Sequence, residues 1–516
     1  MEPVSIWGNI QTQEHLQQES TFHFNYINMK ENFKKIMALL VIMVCWSCDN
    51  YLEILPEGQQ NSESYFNSKS DYEDALVGVY DLLSTTYLNN ILGEIASDNS
   101  LAGGGDQTDV LDWQQIDNMT HTADNGALRN IFQWMYAGIS RANYIVEFKD
   151  KIDFDGKDEL LAENLFLRSY YYFELVKFFG DVPLYVDGRI SIEQSQSIDR
   201  TPKEQIYAQL EEDLTTAIAA LPLQQTQNGR VTKGAALALL GKIYLYQEKF
   251  SQAASTLDQV VTSGQYQLVD DYTTIFLNSN ENNSESVFEV QYFGGEGASF
   301  GCFQCVEGNI AVGFMGPRFT GGDYAPYTSG FSFNPPTVEL YNAYSSDDNR
   351  RDATILDIEA FAASRPGLTF SQGNTDDYTG YYNKKYIPYA EANLPDANLT
   401  HSNNYRAIRY SDVLLMAAEA FNRGSIDDNK ARNYVNLVRE RAGLDNVTSS
   451  GSNLTQDIFR ERRLELAGEG HRFFDQVRTG QTSSIPGFMT GKNELFPIPR
   501  IEIELAGNRW TQNPGY

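Results

Sequence analysis

Apolar residues recur at helical spacing in two parts of the chain, at about 66–285 and 406–516. Within Thr232–Gln247 they form one stripe, which is the pattern of a helix with a single buried face. The residues of this stripe are Ala236, Leu239, Leu240, Ile243 and Tyr246. A second helix is predicted over Ser251–Thr262, because Gly264 follows it at the position of a C-cap. The two segments together predict a helical hairpin.

Similar hairpins are predicted elsewhere in the two helical parts. Leu240-Gly-Lys-Ile-Tyr244 fits the L-G-x-x-Y element of tetratricopeptide repeats, in which small residues let two helices approach closely. A second hairpin is predicted from Ile408–Asn422 and Asn429–Ala442. Further helices are predicted over Tyr72–Leu83, Leu128–Phe148, Glu159–Phe179 and Pro202–Leu221. The predicted fold class is therefore mainly α, with a scaffold of tetratricopeptide-like helical hairpins.

The segment between the two helical parts, at about 286–405, lacks a helical period. It is rich in Gly, Tyr, Phe, Asn and Asp, and Ser286–Tyr292 is one candidate among a few short strands. Irregular segments longer than about 15 residues are uncommon in compact domains unless they have a function such as ligand binding. We predict one body over 48–516, with a loop-rich insertion at 286–405 that forms the ligand face.

The first 47 residues are predicted to be absent from the mature protein. Ile36–Trp46 is an unbroken apolar run that follows three lysines, the pattern of a secretory signal peptide. A membrane-spanning helix needs about 20 apolar residues, so this run is too short to serve as an anchor. Met29 gives a leader of ordinary length with a basic start. Met29 is therefore the expected initiator, and the preceding residues are an upstream extension.

Ser47-Cys48 follows this apolar run and resembles the lipobox at which bacterial lipoproteins are cleaved and acylated. Cys45 and Trp46 depart from the strict lipobox, which prefers leucine and a small residue at those positions. We expect Cys48 to be the lipidated first residue of the mature chain. Ordinary secretion, giving a soluble periplasmic protein, is the alternative.

Charge and cysteine content narrow the possible functions. The net charge of −30 argues against nucleic acid as a partner and favours a neutral ligand. Cys302 and Cys305 have the spacing of a redox or zinc half-site, yet zinc needs a second ligand pair and thioredoxin chemistry needs a βαβ unit. A local disulfide or two unreactive thiols is the expected state.

Several motifs, taken in order, resemble those of one family. These are Leu167-Arg168 through Phe179-Gly-Asp-Val-Pro-Leu184, the helix Ile408-Arg-Tyr-Ser-Asp-Val-Leu-Leu-Met-Ala-Ala-Glu-Ala-Phe-Asn422, the block from Glu461-Arg-Arg through Glu469-Gly-His-Arg472, Leu495-Phe-Pro-Ile-Pro499, and Gln512-Asn-Pro-Gly-Tyr516. Their residues and order are similar to those of the SusD/RagB family of outer-membrane lipoproteins. The resemblance spans nearly the whole predicted mature chain.

This resemblance implies a helical body that caps a SusC-like TonB-dependent transporter on the extracellular face of the outer membrane. It also implies binding of polysaccharides or oligosaccharides without cleavage, so we expect no enzymatic activity. Three alternatives stay open. They are a peptide-binding, RagB-like subunit of the same kind of importer, a glycan-cleaving enzyme, and a helical adaptor without a ligand.

A glycan-cleaving enzyme would need paired carboxylates, and Glu461, Glu465 and Glu469 are candidates because their spacing places them on one helical face. Neighbouring arginines are expected to keep these carboxylates ionised, whereas a general acid needs a raised pKa. We predict a structural ion network. The histidines of the mature chain, which are His121, His401 and His471, have no neighbour at metal-ligand spacing.

Sugar binding requires aromatic platforms together with polar groups that hydrogen-bond hydroxyls. Two glycine-containing regions offer both, at Ser97–Gln115 and Tyr292–Phe333, and the family resemblance implies a ligand face in the same two parts of the chain. The predicted ligand-binding residues are Asp98, Asn99, Trp113, Phe303, Arg318, Tyr324 and Tyr327. For each aromatic residue the alternative is burial against the helical body.

No cofactor is predicted, although a structural calcium ion is a further hypothesis. Asp106, Asp109 and Asp112, or the pair Asp347-Asp348, would supply its oxygen ligands. Neither group has the spacing of an EF-hand loop. The calcium hypothesis therefore rests on the acidic side chains alone.

Overall fold

Capping residues of the sequence set the ends of the helices. In the computed structural model, the Ser68 hydroxyl accepts from the Asp71 amide and the Asp71 carboxylate accepts from the Ser68 amide, which forms a capping box. The hydroxyl of Thr232 caps a later helix. Gly180, with a φ of 70°, ends the helix Lys157–Phe179, as its sequence predicts.

The structure describes residues 65–391, 394–396 and 398–516. Phe66–Tyr516 forms one compact unit. The predicted signal peptide, the start at Met29 and the lipidated Cys48 lie outside the described residues. Within the described ranges, no helix has both the length and the apolar composition that crossing a bilayer requires.

Helices make up most of the regular structure, and the strands are short. The helices are α1 Lys69–Asp81, α2 Tyr87–Ile95, α3 Leu111–Asp117, α4 Gly126–Glu147, α5 Lys157–Phe179, α6 Ile192–Ser195, α7 Lys203–Ala220, α8 Lys233–Tyr246, α9 Phe250–Thr262, α10 Ile310–Met315, α11 Val338–Ala343, α12 Arg351–Thr354, α13 Ile358–Ala363, α14 Tyr410–Arg423, α15 Asp428–Arg441, α16 Gly451–Glu465, α17 Arg472–Thr479 and α18 Arg500–Leu505. The strands are β1 Val182–Pro183, β2 Arg200–Thr201, β3 Ser286–Val290, β4 Arg318–Gly321, β5 Ile355–Asp357, β6 Thr369–Ser371, β7 Tyr381–Asn383 and β8 Tyr405–Arg409. The strands form antiparallel pairs, namely β1 with β2, β3 with β8, β4 with β6, and β5 with β7. The predicted mainly α fold class is confirmed.

The long helices pack in sequence as a continuous stack. Helix α4 packs against α5, α5 against α7, α7 against α8, and α8 against α9. Helix α9 then packs against α14, which packs against α15 and α16. At the α8–α9 contact, a Cβ atom added to Gly241 would lie 2.4 Å from Cγ of Leu257. The glycine of the L-G-x-x-Y element therefore allows the close helix approach that the sequence predicts.

The loop-rich region leaves and rejoins the stack at one small sheet. Strand β3 pairs with β8, so that Ser286 lies opposite Arg409 and Val290 opposite Tyr405. Two sequence expectations need correction here. Ile408 belongs to strand β8, so the helix predicted to begin at Ile408 instead begins at Tyr410, the first residue of α14. The 286–405 region also contains the short helices α10 to α13, whose few turns give no clear period in the sequence.

Candidate functional site

A cavity of about 480 Å³ opens where helices α2, α3 and α4 meet the loop-rich region. We call it the aromatic cavity. Its lining residues are Tyr87, Leu88, Asp109, Val110, Asp112, Trp113, Ala127, Asn130, Phe300, Phe303, Phe314, Arg318, Phe331 and Phe333. Aromatic rings dominate this lining, and the polar groups are few. Such a composition is typical of a small-molecule or oligosaccharide site.

The rings run from a buried base to an exposed rim. Trp113 lies at the base, with its ring centroid 4.9 Å from Phe333 and 5.3 Å from Phe314. Phe303 lies 6.2 Å from Phe314, and Phe300 lies 6.0 Å from Phe303. The Phe300 ring is 63% exposed, whereas Trp113 is 5% exposed. A ligand that enters from solvent therefore meets Phe300 and Phe303 before it reaches the base.

Backbone pairing between distant segments builds the cavity. Gly103 bridges to Phe333, and the Gly104 amide donates to the Ser332 carbonyl at 2.9 Å. Gly103 has a φ of 71°, and a Cβ atom there would lie 2.3 Å from the Ser332 oxygen, so only glycine fits. This pairing brings together the two regions in which the sequence predicts ligand-binding residues. Trp113 itself lies on helix α3, which is not among the helices predicted from the sequence.

An ion pair supplies the main polar group of the cavity. Nη2 of Arg318 lies 3.1 Å from Oδ2 of Asp109, which also accepts from the Gly105 amide at 2.7 Å. The guanidinium carbon lies 5.7 Å from the Phe331 centroid. The buried Nε atom of Arg318 has no hydrogen-bond partner among the described residues. Arg318 thus brings a fixed hydrogen-bond donor to the cavity, and Asp109 balances the positive charge of its guanidinium.

Three of the predicted binding residues, Trp113, Phe303 and Arg318, come together in the aromatic cavity. Asp98 and Asn99 do not line it. Asp98 accepts from Arg472 at 2.7 and 2.9 Å, and Asn99 accepts from Arg463 at 2.8 Å. Burial opposes ionisation of Asp98, but Arg472 outweighs it and lowers the pKa of this carboxyl below its usual value. These contacts join Asp98 to helix α17 and Asn99 to helix α16, so both side chains have protein partners.

Tyr324 and Tyr327 also lie outside the lining of the aromatic cavity. Tyr324 stacks on Phe319 with ring centroids 4.8 Å apart, and Tyr327 packs against Tyr389 at 5.2 Å. Tyr327 belongs to a buried cluster of apolar side chains that also contains Ile358, and the partly exposed Tyr324 packs against this cluster. Both tyrosines therefore pack within the loop-rich region and not against the helical body, which was the alternative considered from the sequence.

Several residues of the cavity are absent from the predicted set, among them Phe300, Phe314, Phe331, Phe333 and Asp109. Phe331 and Phe333 are two residues apart, a spacing that places two extended side chains on the same side of the chain. That spacing was a usable signal. Phe314 lies on the short helix α10, and its contacts with the other rings of the cavity identify it.

The three glutamates considered for glycan cleavage are fully buried and paired. Their partners are Arg350 and Arg439 for Glu461, Arg350, Arg409 and Arg441 for Glu465, and Lys385 and Arg409 for Glu469. Burial alone would raise the pKa of Glu465, but the three guanidinium groups hold it well below its ordinary value. The predicted structural ion network is present.

Two details of that network differ from expectation. The cations come from distant segments, whereas the neighbouring Arg462 pairs with Asp412 and Asp475. Helix α16 ends at Glu465, so Glu469 lies beyond the helix on which the sequence places all three glutamates.

Cys302 and Cys305 form a disulfide beside the short 3₁₀ turn Phe303–Cys305. Among the described residues, no group of three or more His, Cys, Asp or Glu side chains is placed to hold a metal ion. Asp109 is paired with Arg318 and Asp348 with Arg350, so one carboxylate of each calcium hypothesis is held in an ion pair.

Comparison with known proteins identifies the family to which this chain belongs. The chain belongs to the SusD family. The SusD family model matches residues 284–494, and a model described as starch-binding, associating with outer membrane, matches residues 50–245. SusD-like protein P2 of Formosa agariphila is 28% identical over 93% of this chain and 99% of its own length.

Two solved structures are also similar to this chain over most of its length. A laminarin binding SusD-like protein is 34% identical, with a TM-score of 0.79 over 87% of this chain and 100% of that chain. Surface glycan-binding protein A from Bacteroides thetaiotaomicron, in complex with laminarihexaose, is 27% identical, with a TM-score of 0.77 over 86% of this chain and 99% of that chain. These relatives are binding proteins by name.

Proposed function

We propose that this protein binds a neutral glycan of the laminarin type in the aromatic cavity and captures it at the cell surface for import. The observation that carries the proposal is the convergence of Trp113, Phe303 and Arg318 in one cavity of a chain that aligns over its length with a laminarin binding SusD-like protein. The rings offer stacking surfaces for pyranose faces, and Arg318 offers a donor to hydroxyls.

Electrostatics favour an uncharged glycan over a sulfated or uronic one. The guanidinium of Arg318 is neutralised by Asp109, and Asp112 adds a further carboxylate to the lining. The chain as a whole has a net charge of −30. A polyanion would meet long-range repulsion without an unpaired cation in the cavity to offset it.

Electrophoresis in native gels that contain a polysaccharide tests this proposal. We expect laminarin, an uncharged glucan, to retard the protein, and alginate, a polyuronate, to leave its mobility unchanged. Retardation by alginate alone would contradict the neutral-glycan proposal. Binding to peptide digests in place of glycans would favour the peptide-binding alternative.

We further propose that the protein acts as the capture subunit of a TonB-dependent transporter on the outer membrane, anchored by lipid at Cys48, and that it does not cleave its ligand. The family assignment and the lipobox-like sequence support this role. Replacing Cys48 with Ala should move the protein from the membrane fraction to the soluble fraction. Retention of the variant with the membranes would exclude acylation of Cys48 as the anchor.

A further inference from the structure

A second cavity of about 250 Å³ lies along helix α4, and we call it the Trp510 cavity. Its lining combines three half-buried rings, those of Tyr136, Tyr185 and Trp510, with the polar side chains of Gln133 and Glu502. Helix α4, the segment after β1, helix α18 and the C-terminal segment all contribute. A cavity assembled from four separate segments is held by the tertiary fold and not by one flexible loop.

The polar atoms of two of these rings, Tyr136 and Trp510, are bound to the backbone, which fixes those rings in place. Nε1 of Trp510 donates to the Ile198 carbonyl at 2.9 Å, and the Tyr136 hydroxyl donates to the Pro183 carbonyl at 2.7 Å. Tyr136 and Tyr185 stack with centroids 5.9 Å apart and an angle of 11° between their planes. Rings that are fixed in this way bind a flat ligand face at little cost in conformational entropy.

Polar groups at the rim match the hydroxyls that a sugar presents. Nε2 of Gln133 donates to Oε1 of Glu502 at 2.8 Å, which holds the amide and the carboxylate together. Amide and carboxylate oxygens accept hydrogen bonds from hydroxyls. The Trp510 cavity therefore repeats the combination of aromatic platforms and few polar groups found in the aromatic cavity.

The two cavities share helix α4. Ala127 and Asn130 line the aromatic cavity, and Gln133 and Tyr136 line the Trp510 cavity. Residues three apart on a helix are surface neighbours, with Cβ atoms about 5–6 Å apart. Asn130 and Gln133 thus bring the edges of the two cavities together, and a chain that leaves one cavity along α4 reaches the other.

We propose that the Trp510 cavity is a second sugar-binding position, which a longer glycan occupies while its other end lies in the aromatic cavity. This inference rests on the proposed function and adds to it a dependence on ligand length. Binding at the second position becomes intramolecular once the first position is filled, so affinity increases for chains long enough to reach both. A short oligosaccharide fills the aromatic cavity alone.

Calorimetric titration of the mature chain with laminaribiose and with laminarin separates the two positions. We expect Trp510→Ala to weaken laminarin binding about tenfold, because one stacking platform is lost, and to leave laminaribiose binding unchanged. Trp510→Phe keeps a ring and should restore most of the affinity for laminarin. Leu505→Ala is the matched control, since Leu505 lies on α18, is 60% exposed and does not line the cavity.

The outcomes distinguish this inference from the proposed function. If Trp510→Ala and the original protein bound laminarin with equal affinity, the proposal of a second sugar-binding position would be wrong. An equal loss for laminarin and laminaribiose, with a lowered melting temperature, would mean that Trp510 acts only through the fold. No binding of either glycan to the unaltered protein would instead contradict the proposed function itself.

Discussion

At the scale of single residues, Trp113 does most to shape the aromatic cavity. Its indole forms the buried base, against Phe314 and Phe333, while Phe300 and Phe303 extend the aromatic surface toward solvent. A sugar ring stacked near this base is largely removed from water, and aromatic residues in such desolvated positions dominate binding energies. Loss of the Trp113 ring should therefore weaken ligand binding measurably.

We predict that Trp113→Ala weakens laminarin binding by about 1–3 kcal/mol, as measured by calorimetric titration. Because Trp113 is buried, the Ala variant also loses stability, so Trp113→Phe serves as a better-folded companion with a smaller loss of affinity. Leu111→Ala on the same helix is the control, since Leu111 is 55% exposed and outside the cavity lining. Wild-type affinity in both Trp113 variants would place the ligand elsewhere.

The sequence predicts part of this cavity and not the rest for a physical reason. An aromatic residue in a glycine-containing region suits a binding face and a hydrophobic core equally well, as Trp113 in the aromatic cavity and Tyr324 beside an apolar cluster illustrate. The long-range pairing of Gly103 with Phe333 decides which of the two applies. The type of a residue shows whether it could bind a sugar, but the cavity itself is formed by contacts between segments far apart in the chain.

At the scale of elements, the hairpin of α8 and α9 depends on one glycine. We predict that Gly241→Ala lowers the free energy of unfolding by about 1–3 kcal/mol, because its Cβ would overlap the Leu257 side chain. Urea unfolding measures the effect. Gly78→Ala on helix α1 is the matched control, since its Cβ would meet nothing within 4 Å, and it should be neutral or stabilising. Equal behaviour of the two variants would contradict this account of the hairpin.

Periodicity finds the long helices well and the short elements poorly. Helix α8 lies within one residue of its predicted ends, because its apolar stripe and Thr232 cap are local signals. Helix α3 was not predicted, because it has only seven residues and follows Val110, whose φ is 47°. Ile408 was predicted to be helical but lies in strand β8, because this strand pairs with β3, which is far away in the sequence.

At the scale of the whole molecule, buried carboxyls join distant parts of the chain. Glu94 of helix α2 accepts from the Gly470 amide at 2.8 Å, near the C-terminal ion network. Complete burial raises the pKa of Glu94 to about 7. The folded protein therefore holds a proton on Glu94 at a pH at which the unfolded chain, with a glutamate pKa of about 4.3, has released it.

This difference predicts a pH-dependent effect of Glu94→Gln. A raised pKa in the folded state contributes stability that is fully present below about pH 4.3 and is lost as the pH rises through about 7. The amide of glutamine does not titrate. Relative to the original protein, the variant should therefore gain about 2–3 kcal/mol in unfolding free energy between pH 5 and pH 8. Parallel pH profiles would show that Glu94 is ionised when folded.

As a whole, this SusD-family protein is proposed to capture a neutral glycan in the aromatic cavity without cleaving it. Calorimetric titration of the mature chain with laminarin, followed by an assay of the mixture for new reducing ends, tests both parts in one sample. We expect saturable binding that Trp113→Ala weakens, with no new reducing ends. Absence of laminarin binding, or the appearance of new reducing ends, would contradict it.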